Sequence, residues 1–535
     1  MSKSQPYTVA CAGGLVTASN AIDLLKSPGV ATELRNFEVS TKGGYRRING
    51  FTKFGGNSAV QPTGSSTTIL GAIPYADGVV VCAGTSIYFS QTGTSWLEIN
   101  RASVASSGDN HTAFTGRSVL TRTNQAQCQF ALFESATSNY GTLIISDGVN
   151  KPYAFRMEGT GSLTSRTFFG EEITVTGTKG VEYITVHDKH LIAAGVEDNL
   201  NTVFFSGTLD PTDFTSTGSG SIALEDQIKG IKSFRNELFI FCENSIFKLQ
   251  NINNSNTIAV IPVTKNVGCL SGHSIQEIAG DLIFLAPDGL RTVAGTARIG
   301  DVELGTVSSN IQNIVSDLAE SVNVFTINSV VLREKSQYRL FYTNIGADDS
   351  TQRGIIGTLR PNGFEWSETR GLEVTAIGSG FDSSGIEQYY HGDTNGNVYL
   401  HDSGADFNGT NILARYTTPN YDYGDLGTLK TLHYLRVSMA TEGIVEPDVQ
   451  IKFDFNSSDV PQPTDLFDLG IINPPSLFGE AVFNTNKFAG QNNPMIRVPL
   501  QGSGTSNNFT VISNDTKPSY TVNGLYVDFI PSGRR

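Results

Sequence analysis

Two histidines, His187 and His190, form the closest pair of imidazole side chains in the sequence. Their spacing would bring both rings together on one turn, an arrangement that could bind a metal ion. A structural metal site usually needs four ligands, and no cysteine or carboxylate is placed to complete this one. The pattern therefore favours a polar hairpin turn, and we predict no metal and no cofactor.

A second polar turn, Asp393–Val398, combines Asp, Asn and Gly in a way that is similar to a calcium loop. The glutamate that closes an EF-hand loop is missing from it. Asp, Asn and Gly all tolerate a positive φ angle, so a hairpin turn explains the composition. We interpret this segment as the turn between two strands.

The segment Gly93–Trp96 resembles the end of the Asp-box turn of sialidase-type propellers. Gln91 stands two residues before the glycine, where that turn has an aspartate. A sialidase would also need an arginine cluster and an activated tyrosine, and neither can be located. We interpret Trp96 as a side chain that packs a propeller blade.

Motifs for other chemistry are missing from the sequence. It contains no G-x-x-x-x-G-K-[ST] phosphate loop, no H-E-x-x-H zinc helix, no G-x-S-x-G elbow and no full G-x-G-x-x-G. Five well-separated cysteines without a C-x-x-C pair indicate buried free thiols rather than disulfides. No catalytic residue is predicted, and we expect a protein that is not an enzyme. The cysteines are Cys11, Cys82, Cys128, Cys242 and Cys269.

The adjacent arginines Arg46 and Arg47 are the candidate interface residues. Guanidinium groups recognise phosphates and carboxylates through paired hydrogen bonds. They could therefore contact a phosphate or the carboxylates of a neighbouring subunit. The alternative is that both arginines are simply solvated.

The composition narrows the fold and the partners. The chain has 535 residues with 56 Gly, 16% charged and 39% apolar residues, which indicates a globular protein of many short strands and tight turns. Its net charge of −14 has the wrong sign for tight binding of nucleic acid. No signal peptide and no membrane span is recognised, so we expect synthesis in a reducing cytoplasm.

A hairpin of two apolar strands around a polar turn recurs seven times from about residue 67 onward. The second strands are marked by Ile87, Phe155, Phe204, Ile246, Leu290, Ile356 and Val398. Four of the six gaps between these markers fall between 42 and 49 residues, which is the spacing of four-stranded propeller blades. Radial repetition also protects strand edges, so we predict a β-propeller.

The fold class predicted is all-β, with a propeller, an additional β domain and one short helix near 308–320. Ile311, Ile314 and Leu318 form one stripe of that helix. We assign 1–60 to a lead-in whose strands join the second β domain, 61–407 to the propeller and 408–535 to the C-terminal β domain. Within the last, 456–508 is rich in loops.

Three neighbouring segments, Phe204–Phe214, Ser221–Leu224 and Ile231–Leu249, carry a resemblance to a known family. They resemble the core of the tail hub proteins of short-tailed bacteriophages, also called nozzle, tail tubular protein B or packaged-DNA stabilisation proteins. The similarity touches most of residues 20–455. Its strongest segments are Phe204–Phe214, Ser221–Leu224, Ile231–Leu249, Leu25–Gly29, Ala31, Asn36–Phe37, Gly44–Gly50, Pro287–Arg291, Ser308–Ile314, Tyr421–Gly424 and Lys430.

The resemblance implies a structural virion protein. Members of this family form a ring of six subunits below the head-to-tail adaptor, and the ring channel retains the packaged genome and passes it during ejection. The expected partners are five further copies, the adaptor, tail fibre or spike proteins, and genomic DNA in transient, non-specific passage. The expected location is the virion tail.

Two other functions remain open from the sequence. A glycan-degrading or glycan-binding phage propeller would need two carboxylates about 5–10 Å apart in a cleft. A repeat-type binding module for another protein would act as a monomer.

Overall fold

The fold is known from a computed structural model. It describes residues 4–99, 127–134, 140–161, 163, 166–177, 179–254, 256–294, 306–343, 352–382, 384–460, 462–464, 466–470, 472 and 495–534. Strands dominate these residues, and the prediction of an all-β propeller with an additional β domain and one short helix is confirmed.

The chain begins with short elements that later join three different sheets. They are β1 (Gln5–Ala10), helix α1 (Ala21–Leu24), β2 (Glu33–Arg35), β3 (Phe37–Val39), β4 (Tyr45–Arg47) and β5 (Phe51–Lys53). The β3–β4 hairpin turns at Gly43 and Gly44, whose φ angles of 100° and 79° suit glycine. Asn20 caps the single turn of α1 by accepting hydrogen bonds from the backbone N–H groups of Ile22 and Asp23.

Four sheets of four antiparallel strands follow in chain order. The first is β6 (Ile69–Tyr75), β7 (Gly78–Ala83), β8 (Ser86–Ser90) and β9 (Leu97–Glu98). The second is β10 (Gln129–Phe133), β11 (Thr142–Ser146), β12 (Tyr153–Glu158) and β13 (Thr167–Glu172). The third is β14 (Val181–His187), β15 (His190–Val196), β16 (Thr202–Phe205) and β17 (Gly220–Ala223). The fourth is β18 (Ile228–Phe234), β19 (Glu237–Cys242), β20 (Ile246–Gln250) and β21 (Ala259–Thr264).

Two more blades complete the six-bladed propeller. Between them in the chain lie four strands that belong to a nine-stranded sheet. The fifth blade is β22 (Gln276–Ile278), β23 (Asp281–Ala286) and β24 (Gly289–Thr292). Helix α2 (Gln312–Glu320) and the strands β25 (Thr326–Leu332), β26 (Gln337–Thr343), β27 (Arg353–Arg360) and β28 (Gly363–Arg370) come next. The sixth blade is β29 (Ala376–Phe381), β30 (Glu387–Gly392) and β31 (Val398–His401), and β5 is its fourth strand.

The remaining strands build the additional β domain. They are β32 (Ile412–Thr417), β33 (Thr428–Thr441), β34 (Asp448–Phe453), β35 (Phe467–Asp468), β36 (Met495–Pro499), β37 (Ser503–Gly504), β38 (Asn507–Asp515) and β39 (Tyr520–Arg534). Much of the loop-rich segment predicted over 456–508 lies outside the described residues, which omit 473–494.

Two sheets form this domain and share the largest apolar core. One has the strand order β25-β26-β27-β28-β2-β32-β38-β34-β35. The other has the order β3-β4-β39-β33-β36, with β1 beside β39 and β37 beside β33. The nine-stranded sheet belongs to both parts of the molecule, because β25 lies between β22 and β29 in the propeller ring.

Each of the seven predicted hairpins is a pair of adjacent antiparallel strands; β23–β24 lies at one edge of the three-stranded fifth blade, and the other six are inner pairs of their sheets. The pairs are β7–β8, β11–β12, β15–β16, β19–β20, β23–β24, β26–β27 and β30–β31. Six lie in separate blades, and β26–β27 lies in the nine-stranded sheet. The sequence repeat therefore marks the hairpin, whichever sheet it joins.

The helix prediction is confirmed by a short 3-10 turn, Ser309–Ile311, that leads into α2. Ile311 and Leu318 of the predicted stripe are buried, together with Val315, and Ile314 is partly buried against the same core. The helix lies against β24, so it packs the fifth blade onto the domain core. Further 3-10 turns in the described part of the chain are Gly56–Ser58, Gly272–Ser274, Arg333–Lys335 and Asp454–Asn456.

Candidate functional site

A central cavity of about 460 Å³ lies where the innermost strands meet. Residues of β6, β10, β14, β18, β22, β25 and β29 line it, so each blade and the shared sheet contribute one strand. Each of these strands pairs with a neighbour on one side only. Their other edges therefore present backbone N–H and C=O groups towards the cavity.

Lys232 is a cationic side chain on the wall of this cavity. The neighbouring strand positions are Ile231 and Ser233, and the hydroxyl of Ser233 lies 2.8 Å from Nδ1 of His187. Burial lowers the pKa of Lys232; the negative charge of Glu277 opposes this shift, and the positive charge of Arg333 adds to it. No ion pair within the described residues includes Lys232, and the described lining contains no Asp or Glu.

His273 separates the central cavity from a second one of about 470 Å³. Its backbone carbonyl accepts a hydrogen bond of 2.6 Å from the Ser329 hydroxyl, which fixes its loop against β25. Burial lowers the pKa of the His273 ring to about 4. The imidazole is therefore neutral at pH 7.

The second cavity contains the carboxylates of Asp147 and Glu182. Asp147 Oδ1 accepts hydrogen bonds from the backbone N–H groups of Val149 (3.1 Å) and Asn150 (2.7 Å). Glu182 Oε1 accepts one of 2.7 Å from the Tyr183 hydroxyl. Burial and the charge of Glu182 raise the pKa of Tyr183 well above its usual value. Both carboxylates thus stabilise the conformation of their own chain segments through hydrogen bonds.

The structure places Arg46 inside the chain, at the junction of the propeller and the β domain. Its guanidinium binds Glu442 at 2.6 Å and the buried Glu38 at 2.8 Å, and it donates to Asn49 Oδ1 at 2.8 Å. Burial opposes its charge, but the two carboxylates outweigh burial and raise its pKa. The carboxylates that Arg46 contacts here, Glu38 and Glu442, belong to its own subunit.

Arg47 is fully buried in the same region. It pairs with Asp515 at 3.1 Å, and it donates hydrogen bonds to the backbone carbonyls of Asp515 (2.6 Å) and Lys517. Burial lowers the pKa of its guanidinium. Its contacts bind β4 to the loop between β38 and β39 and leave no face for a phosphate.

Glu38 is the centre of a buried ionic cluster that joins three parts of the chain. Its side chain is 2% exposed and binds Lys335 at 3.0 Å and Arg339 at 2.9 Å, besides Arg46. Asp402, next to β31 of the sixth blade, binds Lys335 at 2.7 Å and Arg339 at 3.0 Å. Burial opposes ionisation of Asp402, but the two cations outweigh it and lower its pKa.

Two buried histidines extend this junction into the blade. His401 contacts Arg339 at 3.2 Å and His391 at 3.3 Å, and the ring of His391 stacks on Tyr399. Burial lowers the pKa of His391 to about 3. Burial and neighbouring positive groups hold the pKa of His401 well below its usual value. Both rings are neutral at pH 7.

The other sequence candidates lie apart from one another. His187 and His190 face each other across the β14–β15 hairpin, where His190 contacts the carbonyl of Ser206 (2.5 Å) and the Asn253 side chain (2.8 Å). These contacts are those of structural polar residues. Within the described ranges, no group of three or more His, Cys, Asp or Glu is placed to hold a metal ion.

The turn at Asp393 connects β30 and β31, as interpreted from the sequence. Its carboxylate accepts hydrogen bonds from the Asn397 backbone (2.7 Å) and the Tyr399 hydroxyl (3.0 Å). Trp96 packs beside Phe54 and donates to the Val60 carbonyl at 2.7 Å, between the first and sixth blades. All five cysteines are free and buried, which confirms that prediction.

Sequence reasoning missed Lys232 and Glu38, which are charged residues inside largely apolar strands. A lysine within Ile231–Phe234 and a glutamate between Phe37 and Val39 interrupt the apolar runs. This interruption is the signal that could have found them, since a charge at an inward strand position needs a partner. Lys335 and Arg339, two of the partners of Glu38, lie about three hundred residues away along the chain and carry no local signal.

The blades, the cavity and the attached two-sheet domain define a β-propeller protein with an additional β domain. Among the described residues, no helix is both long and apolar enough to cross a lipid bilayer. No family model matches the sequence, and no curated protein does.

Several solved structures are similar to this chain in fold. PorZ, a surface component of the type-IX secretion system of Porphyromonas gingivalis, is 9% identical, with a TM-score of 0.37 over 80% of this chain and 59% of that one. The extracellular domain of a hybrid two-component system protein from B. thetaiotaomicron is 9% identical, with a TM-score of 0.34 over 67% of this chain. This chain spans 40% of its length.

An exo-β-1,3-galactanase from Phanerochaete chrysosporium is also 9% identical, with a TM-score of 0.27 over 90% of this chain and 99% of that one. Identities and scores this low concern the general architecture. They support no inference about function.

Proposed function

We propose that this protein is a structural subunit of the tail of a short-tailed bacteriophage, the nozzle or hub below the head-to-tail adaptor. Six copies surround a channel that retains the packaged genome and passes it during ejection. Tail fibre or spike proteins bind the assembled ring, and the protein acts as part of the virion and not as an enzyme.

The nine-stranded sheet is the observation that carries this proposal. It extends from β25 in the propeller ring to β35 in the β domain, and its two halves meet where Arg35 of β2 pairs with Glu368 of β28. A continuous hydrogen-bonded sheet resists bending between the two parts, so the subunit is a stiff block. A channel that keeps a constant diameter around DNA needs stiff subunits.

Charge and cavity chemistry agree with a passive role. Each chain carries a net charge of −14, so six copies around a channel repel DNA weakly wherever that charge faces the channel. Glycoside hydrolysis uses two carboxylates facing one another across the substrate, and the described lining of the central cavity contributes none. The second cavity does contain two carboxylates, Asp147 and Glu182, and each accepts hydrogen bonds from neighbouring residues. These features are consistent with the nozzle.

The experiment is mass photometry and electron microscopy of the purified full chain, alone and with the adaptor of its phage. The nozzle predicts a ring of six times the 57.4 kDa of one chain when the adaptor is present. A chain that stays monomeric and never joins the adaptor contradicts the proposal. Release of sugar from a host capsule or lipopolysaccharide would support the glycan-degrading alternative.

A further inference from the structure

Lys232 has an environment that is costly for a charged group. Lys232 lines the central cavity, and the described lining contains no carboxylate. The charge of Glu277 attracts Lys232, but the two form no ion pair. The acids Asp147 and Glu182 lie in the second cavity, beyond His273, and are held by their own hydrogen bonds. A desolvated cation that forms no ion pair is unfavourable, so this position gains stability when an anion binds beside it.

Other donors face the same space. The side chains of Gln129 and Thr185 line the cavity, and neither forms a hydrogen bond with another described residue. The innermost strands add backbone N–H groups from their unpaired edges. Amide, hydroxyl and N–H donors around one ammonium are the groups that bind oxyanions in proteins.

The size of the cavity sets the class of ligand. About 460 Å³ lies within the usual range for small-molecule sites and exceeds what a few water molecules need. Seven strands surround it as a ring, and a space of this size is too small for a folded partner. The occupant is therefore small.

We propose that the central cavity of the propeller binds a small oxyanion, a carboxylate or a phosphate, with Lys232 as its counter-charge and Gln129 and Thr185 as hydrogen-bond donors. The site lies within one subunit. It is independent of whether the chain forms a ring.

The test is isothermal titration calorimetry of the full chain with inorganic phosphate and, separately, with acetate, in a buffer free of other oxyanions. The variant is Lys232→Met, which keeps the length of the side chain and removes the charge. Lys229→Met on the same strand is the matched control, because Lys229 lines the second cavity. Lys232→Arg preserves the charge.

We expect saturable binding of at least one of the two anions by the wild type, with one site per chain. Lys232→Met should weaken it about tenfold or more, whereas Lys229→Met and Lys232→Arg should stay within about threefold. Without anion, Lys232→Met should melt at the same or a higher temperature than the wild type, which shows that it folds. The absence of saturable binding in the wild type, or equal binding by Lys232→Met, would overturn the proposal.

Discussion

The propeller and its junction with the β domain are held together by different forces. Neighbouring blades share apolar clusters, for example around Phe155 between the first and second blades and around Phe284 between the fourth and fifth. The junction instead buries Glu38 among Arg46, Lys335 and Arg339. Apolar contacts tolerate small shifts of one blade against the next, whereas a buried ionic cluster requires one geometry.

The difference indicates how apolar contacts and buried ion pairs each contribute to the stiffness of the subunit. Apolar packing repeats around the ring and has no directional preference. The charged cluster fixes the lead-in, β26 and the sixth blade in one register, since each carboxylate must meet its cations. Breaking each kind of contact should therefore give effects of different size.

Removal of Glu38 should have the largest effect. Glu38→Ala leaves three cations without one of their counter-ions in a buried site, which typically costs about 3–5 kcal/mol. We expect a matching fall in the free energy of unfolding, measured by urea denaturation followed by fluorescence. A loss below about 1 kcal/mol would mean that solvent reaches the cluster.

Phe51→Ala should come next. Phe51 lies on β5, stacks on Phe407 at 5.2 Å and contacts Tyr399 at 4.8 Å, so truncation removes the apolar anchor of the closing strand. Loss of a buried phenylalanine costs about 3 kcal/mol. Phe381→Ala on the same blade is the control; its side chain is 59% exposed, and we expect a change within about 0.5 kcal/mol. Equal losses in the two variants would argue against ring closure through β5.

Acidification should weaken the folded state by a smaller amount. His391 and His273 have folded pKa values of about 3 and about 4, and that of His401 is also low, so all three stay neutral in the folded state while the unfolded chain takes up protons below about pH 6.5. The unfolded state then binds more protons, and stability falls as the pH falls.

Each of these histidines contributes at most about 1.4 kcal/mol per pH unit between pH 6.5 and its folded pKa. Urea midpoints measured from pH 7.5 to pH 5 should show the decline. His391→Phe, which keeps a ring against Tyr399, should reduce the slope. An unchanged slope in this variant would place the titrating groups elsewhere.

The smallest effect should come from the exposed ion pair of Lys265 and Glu225. Their side chains are 58% and 60% exposed, so Glu225→Ala should cost less than about 1 kcal/mol, and less still at high salt. The same denaturation assay gives the baseline for Glu38→Ala. A larger cost here would show that net charge, rather than burial, governs the response of this acidic protein.

The sequence predicts what is local and repeated. Hairpins such as β19–β20 carry an apolar strand, a polar turn and a second strand within some fifteen residues, and their recurrence indicates blades. The helix stripe and the β3–β4 turn at Gly43 and Gly44 are local in the same sense. These features were visible without a structure.

The pairings that assemble the sheets could not be predicted, since they join residues hundreds of positions apart. β5 pairs with β31, and β2 lies between β28 and β32. The sequence patterns of β2 and β5 are too short to specify these partners. The ion pairs of Arg46 follow from that topology and carry no separate signal. Lys232 faces a cavity that exists only when all the inner strands have met.

Strand β5, which completes the sixth blade, also imposes an order on the synthesis and folding of the chain. Phe51–Lys53 leave the ribosome early, whereas Val398–His401, with which they pair, are translated some three hundred and fifty residues later. No nascent fragment that lacks the second segment can close the ring, so β5 stays without its partner strand until about three quarters of the chain has been translated. Chaperones that shield unpaired strand edges would meet this chain for most of the time that it takes to make it.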